Sequence, residues 1–537
     1  MFMRILCAIM TITLWGLDTA LSSGSPATAP AATNSAPSMP QTDTAEEKIP
    51  PPLQGEVENA SVTEGQVSVD GQMIAYRATA ANMPMKDEDG KLKATVFFTA
   101  YERLGAVPEG SEKPERLAAD PHHRPITFVF NGGPGAASVW LHLGTAGPRR
   151  IELKKNGEAP GPPYRLIENT HTWLDVTDLV FIDPVGTGYS RPAEGQKGSE
   201  FYGVQEDIRW VADFIRLYIT KYERWASPMF LAGESYGTTR AAGLSEYLLD
   251  RYGIALNGIV FISTVLDFQT LRPGAANDLP YPLYLPTYAA TAWHHGKLAP
   301  ELQADLQKTL TQAEQWAINT YLVALTKGDA LAPDRRRQVV RMLARFTALP
   351  ASVIEKCNLR IPPHVFQKYL LAGETQIVGR FDSRIVGFDP EPMRPWPSYD
   401  PSLSQYLPVY SATFNDYARR TLKYDSLLPY EVLSDKVRPW NFGEDGQGYL
   451  SVADNLRSAM VKNPSLKALF ASGYFDLATP YFATDFTINR LNLSDDLRAN
   501  IRHTYYQGGH MMYHVASELA AFKADLADFI REALPKP

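Results

Sequence analysis

The amino-acid sequence predicts an α/β fold in which helices cover both faces of a mostly parallel central sheet. Short apolar runs alternate with helical segments in the first half of the chain and again near its end. Runs with this continuous apolar character are typical of strands that are buried on both faces, as in parallel sheets. The predicted strands are 125–130, 179–183, 228–232, 258–262, 467–471 and 502–506.

Further elements precede and connect these strands. Asp70-Gly71 lies between two short alternating runs and predicts a hairpin, and residues 95–101 form a third strand of that region. After the strand at 179–183, apolar residues recur three and four positions apart, which predicts an amphipathic helix. Its apolar positions are Val204, Ile208, Val211, Ile215 and Ile219.

The alternation of strands and helices stops near residue 268 and resumes near residue 440. Between these points, helical segments and proline-rich loops follow one another. We expect residues 56–267 and 441–537 to be the two parts of one core, and residues 268–440 to be a mostly helical lid inserted over the sheet. The helices expected in the lid are 299–326, 333–347, 350–357 and 363–372.

The first 55 residues have a different character. Arg4 precedes an uncharged apolar run of about 13 residues, and small residues follow at Ala20-Leu21-Ser22. This order predicts a secretory signal peptide over residues 1–22, because the run is short of the ~20 residues that a spanning helix needs. Residues 23–55 are rich in Ala, Ser, Thr and Pro and predict a disordered linker. We expect export to a periplasm or to the medium, with a retained membrane anchor as the alternative.

Charge and cysteine content restrict the partners of the chain. The formal net charge of its 537 residues is -7 and no basic stripe occurs, which argues against a nucleic-acid partner. Cys7 and Cys357 are the two cysteines of the sequence. Removal of the signal peptide would leave one, so no disulfide within the mature chain is expected.

The segment from Gly233 to Gly237 reads G-x-S-x-G between a predicted strand and a predicted helix. Strand, sharp turn and helix in this order form a nucleophile elbow, in which glycines allow the two elements to pass closely. Ser235 would be the nucleophile, and the amide of Tyr236 would point at the developing oxyanion. Taken alone, the pattern also fits a serine in an ordinary turn.

A nucleophilic serine needs an imidazole to take its proton and a carboxylate to orient that imidazole. In the α/β-hydrolase fold, these residues follow in the order Ser, Asp, His, each in a loop after a strand. Asp476 follows the strand at 467–471, and His510 lies in a glycine-rich loop after the strand at 502–506. We therefore predict Ser235, Asp476 and His510 as the catalytic residues. No cofactor or metal is expected, because no glutamate completes H-E-x-x-H between His510 and His514.

Two further glycine-rich turns follow strands of the predicted sheet. Asn131-Gly132-Gly133-Pro134-Gly135 follows the strand at 125–130, and its amides could line an oxyanion hole opposite the nucleophile. A plain tight turn is the alternative. The segment 183–190, D-P-V-G-T-G-Y-S, fits either a pocket wall or a sharp turn.

Together these motifs resemble the serine carboxypeptidase family, and its bacterial exported members most. The matching stretches are N-G-G-P-G at 131–135, D-P-V-G-T-G-Y-S at 183–190, G-E-S-Y-G at 233–237, the Asp476 loop and G-H-M at 509–511. Departures are Val129 where the family often has Trp, Ala136-Ala137-Ser138 for Cys-Ser-Ser, and the missing disulfides.

The resemblance implies an α/β-hydrolase fold and roles for individual residues. The amides of Gly133 and Tyr236 would form the oxyanion hole, and Asn131 and Glu234 would bind the C-terminal carboxylate of a peptide. Two carboxyl groups at one site are tolerated only if one is protonated, so we expect peptide cleavage to be favoured at acidic pH.

The expected function is that of a serine-type carboxypeptidase, which releases C-terminal residues from peptides through an acyl-enzyme on Ser235. An aminopeptidase, or an esterase or acyltransferase on the same fold, is the alternative, and a catalytically idle binding protein is a third reading. The expected partner is a peptide substrate, with no nucleic acid and no stable membrane insertion after signal cleavage.

Overall fold

The computed structural model describes residues 60–105, 120–443 and 449–535. The predicted signal peptide and linker, at 1–22 and 23–55, lie outside the described residues. None of the helices in the described part of the chain has the length and apolar content that crossing a membrane requires.

A ten-stranded sheet forms the centre of the fold. Its order from edge to edge is β1-β2-β3-β7-β4-β9-β10-β13-β14, with β8 paired to β3. Strands β7, β4, β9, β10, β13 and β14 pair in parallel, and β1 to β3 form an antiparallel extension. The strands are β1 Ser61–Val69, β2 Gln72–Lys86, β3 Leu92–Arg103, β4 Ile126–Phe130, β5 Arg149–Ile151, β6 Leu166–Glu168, β7 Asp178–Ile182, β8 Arg191–Pro192, β9 Met229–Glu234, β10 Gly258–Ile262, β11 Gln376–Val378, β12 Val386–Phe388, β13 Lys467–Gly473 and β14 Ile501–Tyr506.

Helices connect these strands and cover the sheet. The α-helices are α1 Val139–Leu141, α2 Val204–Lys221, α3 Tyr236–Tyr252, α4 Pro280–His294, α5 Pro300–Gln303, α6 Leu306–Trp316, α7 Leu322–Thr326, α8 Pro333–Thr347, α9 Ala351–Lys356, α10 Pro363–Tyr369, α11 Pro401–Arg420, α12 Ala453–Lys462, α13 Tyr481–Ile488, α14 Asp495–Arg498 and α15 Ala516–Ala533. All five predicted apolar positions of α2 are buried.

Successive side chains of the central strands enter two separate hydrophobic cores. In β10, Val260 and Ile262 belong to one core, and Ile259 and Phe261 belong to the other. This alternation follows from the pleat of a strand, which points neighbouring side chains to opposite faces. Both faces of the sheet are therefore buried, and the predicted α/β-hydrolase fold with its mostly parallel sheet is confirmed.

The chain between β10 and β13 is mostly helical, and it also contains structure that the sequence pattern did not predict. The strands β11 and β12 form an antiparallel hairpin there. Helices α4 and α11 carry prolines inside them, at Pro286 and Pro408, which conceal a helix from pattern reading. The predicted helix at 299–326 is divided into α5, α6, a π-helical turn and α7. The boundaries of the lid at 268 and 440 stay a prediction.

A buried ion cluster joins the amino ends of three sheet strands. Asp178, the first residue of β7, accepts a bond from Arg124 Nε at 2.9 Å and one from Arg224 Nη1 at 2.7 Å. Arg124 precedes β4 and Arg224 precedes β9, and all three side chains are nearly inaccessible to solvent. The cluster fixes the strands at the edge opposite to the one where the predicted site residues lie.

Candidate active site

Ser235 lies in a sharp turn between β9 and α3. Its backbone has φ 60° and ψ -129°, a region that non-glycine residues rarely adopt and that is common at functional sites. A bond from Ser235 N to Ile262 O at 3.0 Å holds the turn against β10. A Cβ at Gly233 would lie 2.3 Å from Gly237 O, so the close passage of strand and helix requires glycine there. Ser235 is half-buried, while its neighbours in the elbow are buried.

The carboxyl ends of five parallel strands line up at this edge of the sheet. Phe130 of β4 pairs with Gly233 of β9, and Glu234 of β9 pairs with Ile262 of β10. Strand β13 continues this register beside β10, and β14 beside β13. Every predicted site residue lies at the carboxyl end of β4, β9, β13 or β14 or in the segment that follows it, so the topology gathers these residues at one edge.

The structure brings Asp476 and His510 into direct contact. Asp476 Oδ2 lies 2.7 Å from His510 Nδ1, and both side chains are buried. The amides of Ala478 and Thr479 donate to Asp476 Oδ1 at 2.7 and 3.0 Å, and the Thr479 hydroxyl donates to Oδ2 at 2.7 Å. These bonds fix the orientation of the carboxylate, and Nε2 of the imidazole is left to exchange a proton.

His510 is also held through its backbone and by its electrostatic surroundings. Ser263 Oγ donates to His510 O at 2.6 Å, and His510 N donates to Phe381 O at 2.5 Å. Burial alone would lower the pKa of His510, but the charge of Asp476 and its hydrogen bond outweigh burial and raise this pKa above its usual value.

Ser235 and His510 are connected through β10. Ser235 N bonds to Ile262 O, and the next residue, Ser263, bonds to His510 O. The Ser235 hydroxyl forms no hydrogen bond with another described residue, so its direct bond to the imidazole is not formed in this structure. Such bonds are often long in a free enzyme and tighten when substrate binds.

The glycine-rich loop after β4 lies against the nucleophile turn. A Cβ at Gly132 would be 2.4 Å from Tyr236 N and 2.5 Å from Gly237 N. Gly133 is exposed and has φ +99°, a conformation that favours glycine. The loop therefore packs directly against the start of α3, next to the Tyr236 amide.

Asn131 and Glu234 meet beneath this loop. Asn131 Nδ2 donates to Glu234 Oε1 at 2.8 Å, and the Tyr513 hydroxyl donates to Glu234 Oε2 at 2.6 Å. Burial raises the pKa of Glu234 to about 7, although the nearby His510 and the Tyr513 bond work in the opposite direction. A glutamate beside the nucleophile thus holds a proton at mildly acidic pH.

Residues that the motifs did not indicate also hold this site. Arg240 of α3 is fully buried, donates from Nη1 to Asn131 O at 2.6 Å and from Nε to Asp207 Oδ2 at 2.7 Å. It therefore couples α2, α3 and the glycine-rich loop. Tyr513 lies three residues after His510, where the sequence carries no repeating pattern.

The segment between β10 and β13 reaches the Asp476–His510 pair. Leu477 N donates to Arg380 O at 3.0 Å, and the Phe381 ring lies 5.1 Å from the His510 ring, centroid to centroid. Residues of the mostly helical segment therefore form part of the wall beside the imidazole. No sequence motif marks these two residues.

His514 takes no part in a cluster with His510. Its Nε2 lies 2.7 Å from the Tyr410 hydroxyl, and burial lowers its pKa to about 3. Across residues 60–105, 120–443 and 449–535, no three His, Cys, Asp or Glu side chains are grouped so that they could hold a metal ion.

Comparison with known proteins connects this geometry to a family. The family model described as serine carboxypeptidase matches residues 114–522, which is more than half of the chain. The chain belongs to the serine carboxypeptidase family. The resemblance to this family expected from the motifs is thereby confirmed, whereas the likeness to its bacterial exported members and the roles of the individual site residues stay predictions.

Individual relatives are distant in sequence. Serine carboxypeptidase-like 2 of Arabidopsis thaliana is 23% identical over 397 residues, which is 71% of this chain and 72% of that protein. The pheromone-processing carboxypeptidase KEX1 of Debaryomyces hansenii is 30% identical over 156 residues, 29% of this chain and 19% of that protein. Among solved structures, the chain is similar to the crystal structure of proline iminopeptidase from Mycobacterium smegmatis, with 14% sequence identity and a TM-score of 0.34. The match covers 84% of this chain and 98% of the iminopeptidase chain.

The close contact between Gly132 and the Ser235 turn predicts that a side chain at position 132 lowers activity. In Gly132→Ala, the added Cβ separates the glycine-rich loop from the Tyr236 amide, so kcat/KM for an ester or peptide substrate should fall by roughly 10²–10³, as on loss of one oxyanion donor. Gly373→Ala is the matched control, because a Cβ there meets no atom within 4 Å. Steady-state kinetics checks both variants, with circular dichroism to verify folding. Near wild-type kcat/KM in Gly132→Ala would contradict the assignment of this loop.

Proposed function

We propose that the chain is a serine carboxypeptidase that releases C-terminal residues from peptides through an acyl-enzyme on Ser235. The observation that carries the proposal is the placement of Glu234, which directly precedes Ser235, is buried, and bonds to Asn131 and Tyr513. Family membership supports the reaction class, and the contact of Asp476 with His510 supports the assignment of the base.

In the proposed reaction, Ser235 Oγ attacks the carbonyl carbon of the last peptide bond and its proton passes to His510 Nε2. Asp476 orients the imidazole and stabilises the imidazolium, and the amides of Gly133 and Tyr236 stabilise the oxyanion. The imidazolium then protonates the leaving amine, which departs as the C-terminal residue. Water, activated by His510, hydrolyses the acyl-enzyme and regenerates Ser235.

Glu234 gives this reaction its preference for a free C-terminus. An ionised Glu234 would repel the substrate carboxylate, whereas a protonated one can donate a hydrogen bond to it. Glu234 and His510 influence each other, because each charge favours the opposite charge on its neighbour. The productive state has a protonated Glu234 and a neutral His510, so the pH limits of activity belong to the pair.

This coupling predicts a bell-shaped pH profile. For an N-blocked dipeptide, kcat/KM should fall as pH rises through about 7, because Glu234 then ionises. It should also fall at acidic pH, as His510 becomes protonated. In Glu234→Gln, the alkaline fall attributable to Glu234 should disappear, and the acidic fall should remain, because Glu234 is already protonated and uncharged on the acidic side. A Glu234→Gln profile that coincides with wild type would refute the role of Glu234.

An aminopeptidase is the second candidate, because an ionised Glu234 could instead bind a substrate ammonium group. Blocking one peptide terminus at a time separates the two functions, and mass spectrometry of the products is the readout. A carboxypeptidase should cut the N-blocked peptide and leave the C-amidated one, and the reverse pattern would contradict the proposal.

Ser235→Ala should lose roughly 10⁴-fold or more in kcat, as expected for a catalytic nucleophile. An esterase or acyltransferase would cut neither peptide and would still turn over activated esters, while an idle binding protein would show no Ser235-dependent turnover.

We also propose that the enzyme is exported, and that it works in a periplasm or in the medium. Arg4 and the apolar run after it support this proposal, and Cys357, the cysteine within the described residues, is free. Amino-terminal sequencing of the protein recovered from its host should begin after Ser22. A protein that retains Met1 in the cytoplasmic fraction would contradict export.

A further inference from the structure

Tyr513 is fully buried, and its hydroxyl contacts Oε2 of the Glu234 carboxyl group. The hydroxyl donates to Glu234 Oε2 at 2.6 Å, while Asn131 Nδ2 donates to Oε1 at 2.8 Å. Each oxygen of the carboxyl group therefore has its own donor. Gly144 makes the approach possible, because a Cβ there would lie 2.5 Å from the Tyr513 ring.

The phenol can act only as a donor while Glu234 is ionised. Burial and the neighbouring Glu234 raise the pKa of Tyr513 well above its usual value, so the phenol keeps its proton. A hydrogen bond donated to a buried carboxylate stabilises the ionised form. Tyr513 therefore opposes burial, which favours the protonated form of Glu234.

We propose that Tyr513 is a positioning residue that sets the upper end of the pH range in which Glu234 can receive a substrate carboxylate. The inference rests on the proposed carboxypeptidase function. A protonated Glu234 can donate its hydrogen to the substrate while Tyr513 and Asn131 hold the side chain in place. At alkaline pH Glu234 is ionised, and the hydrogen bond from Tyr513 stabilises that form.

Other groups around Glu234 act on it without a hydrogen bond. His510 lies near enough for its positive charge to favour the ionised carboxylate, and Asp476 disfavours it. Tyr410, from α11, also faces Glu234, but its hydroxyl is engaged with His514 Nε2 at 2.7 Å. Burial keeps His514 neutral, with a pKa of about 3. Tyr513 is thus distinguished from Tyr410 by its direct bond to the carboxylate.

Paired tyrosine variants test the inference through the pH profile of kcat/KM for an N-blocked peptide. Tyr513→Phe keeps the ring and removes the donor, so the alkaline limb should move to higher pH by about one unit, the size expected for one charge-assisted hydrogen bond. The pH dependence of competitive inhibition by 3-phenylpropanoate, a simple carboxylate, should shift in the same direction. Tyr410→Phe is the matched control, equally buried, and its alkaline limb should remain at the wild-type pH. Tyr513→Met, which also lacks a donor, replaces Tyr513→Phe if that variant does not fold.

The outcomes separate this inference from the proposed function. An unchanged alkaline limb in Tyr513→Phe, or equal shifts in both tyrosine variants, would overturn the role of Tyr513 while Glu234→Gln still removes the limb. An alkaline limb that survives in Glu234→Gln would overturn the carboxypeptidase assignment of Glu234 itself. In an aminopeptidase, which needs the ionised glutamate, Tyr513→Phe would instead move the acidic limb to higher pH.

Discussion

The buried bond between Asp476 and His510 is the interaction on which the account of this site depends. It joins loops from two adjacent parallel strands, β13 and β14, whose ends lie in register. Strands β10 and β13 lie between β9, which precedes Ser235, and β14, which precedes His510, and the end of β10 is bonded to both loops through Ile262 and Ser263. Sheet topology thus supplies the geometry, and the buried carboxylate supplies the orientation that an imidazole base requires.

The site contains a second buried carboxyl group, that of Glu234. Asp476 is surrounded by four donors, and Glu234 by two, in a region where burial favours neutral groups. The difference in surroundings agrees with the proposed roles, in which Asp476 orients the base and Glu234 exchanges a proton near pH 7. Arg240 links the site to α2, because it donates hydrogen bonds to both the Asn131 carbonyl and the Asp207 carboxylate.

Local sequence patterns predicted the parts of this structure that depend on short stretches of chain. The G-x-S-x-G turn, the glycine-rich loop after β4 and the apolar strands each combine residues that are close in sequence, so their conformations follow from local sterics and hydrophobicity. Tyr513, Arg240 and Phe381 were not predicted, because their importance comes from contacts with residues 100 or more positions away. Helices α4 and α11 were missed because tertiary packing overrides the cost of their internal prolines.

The most direct test of the central claim is to trap the covalent intermediate and read its mass. The substrate would be an N-blocked peptide in which an ester replaces the last peptide bond and the C-terminal carboxylate is free. The enzyme would be mixed with it, and the reaction would be quenched with acid. The protein would then be digested and its peptides examined by mass spectrometry. The account predicts that the peptide containing Ser235 gains the N-blocked acyl portion without the C-terminal residue, and that Ser235→Ala shows no such species. An adduct on another residue, or an adduct of the N-terminal residue alone from an unblocked peptide, would contradict it.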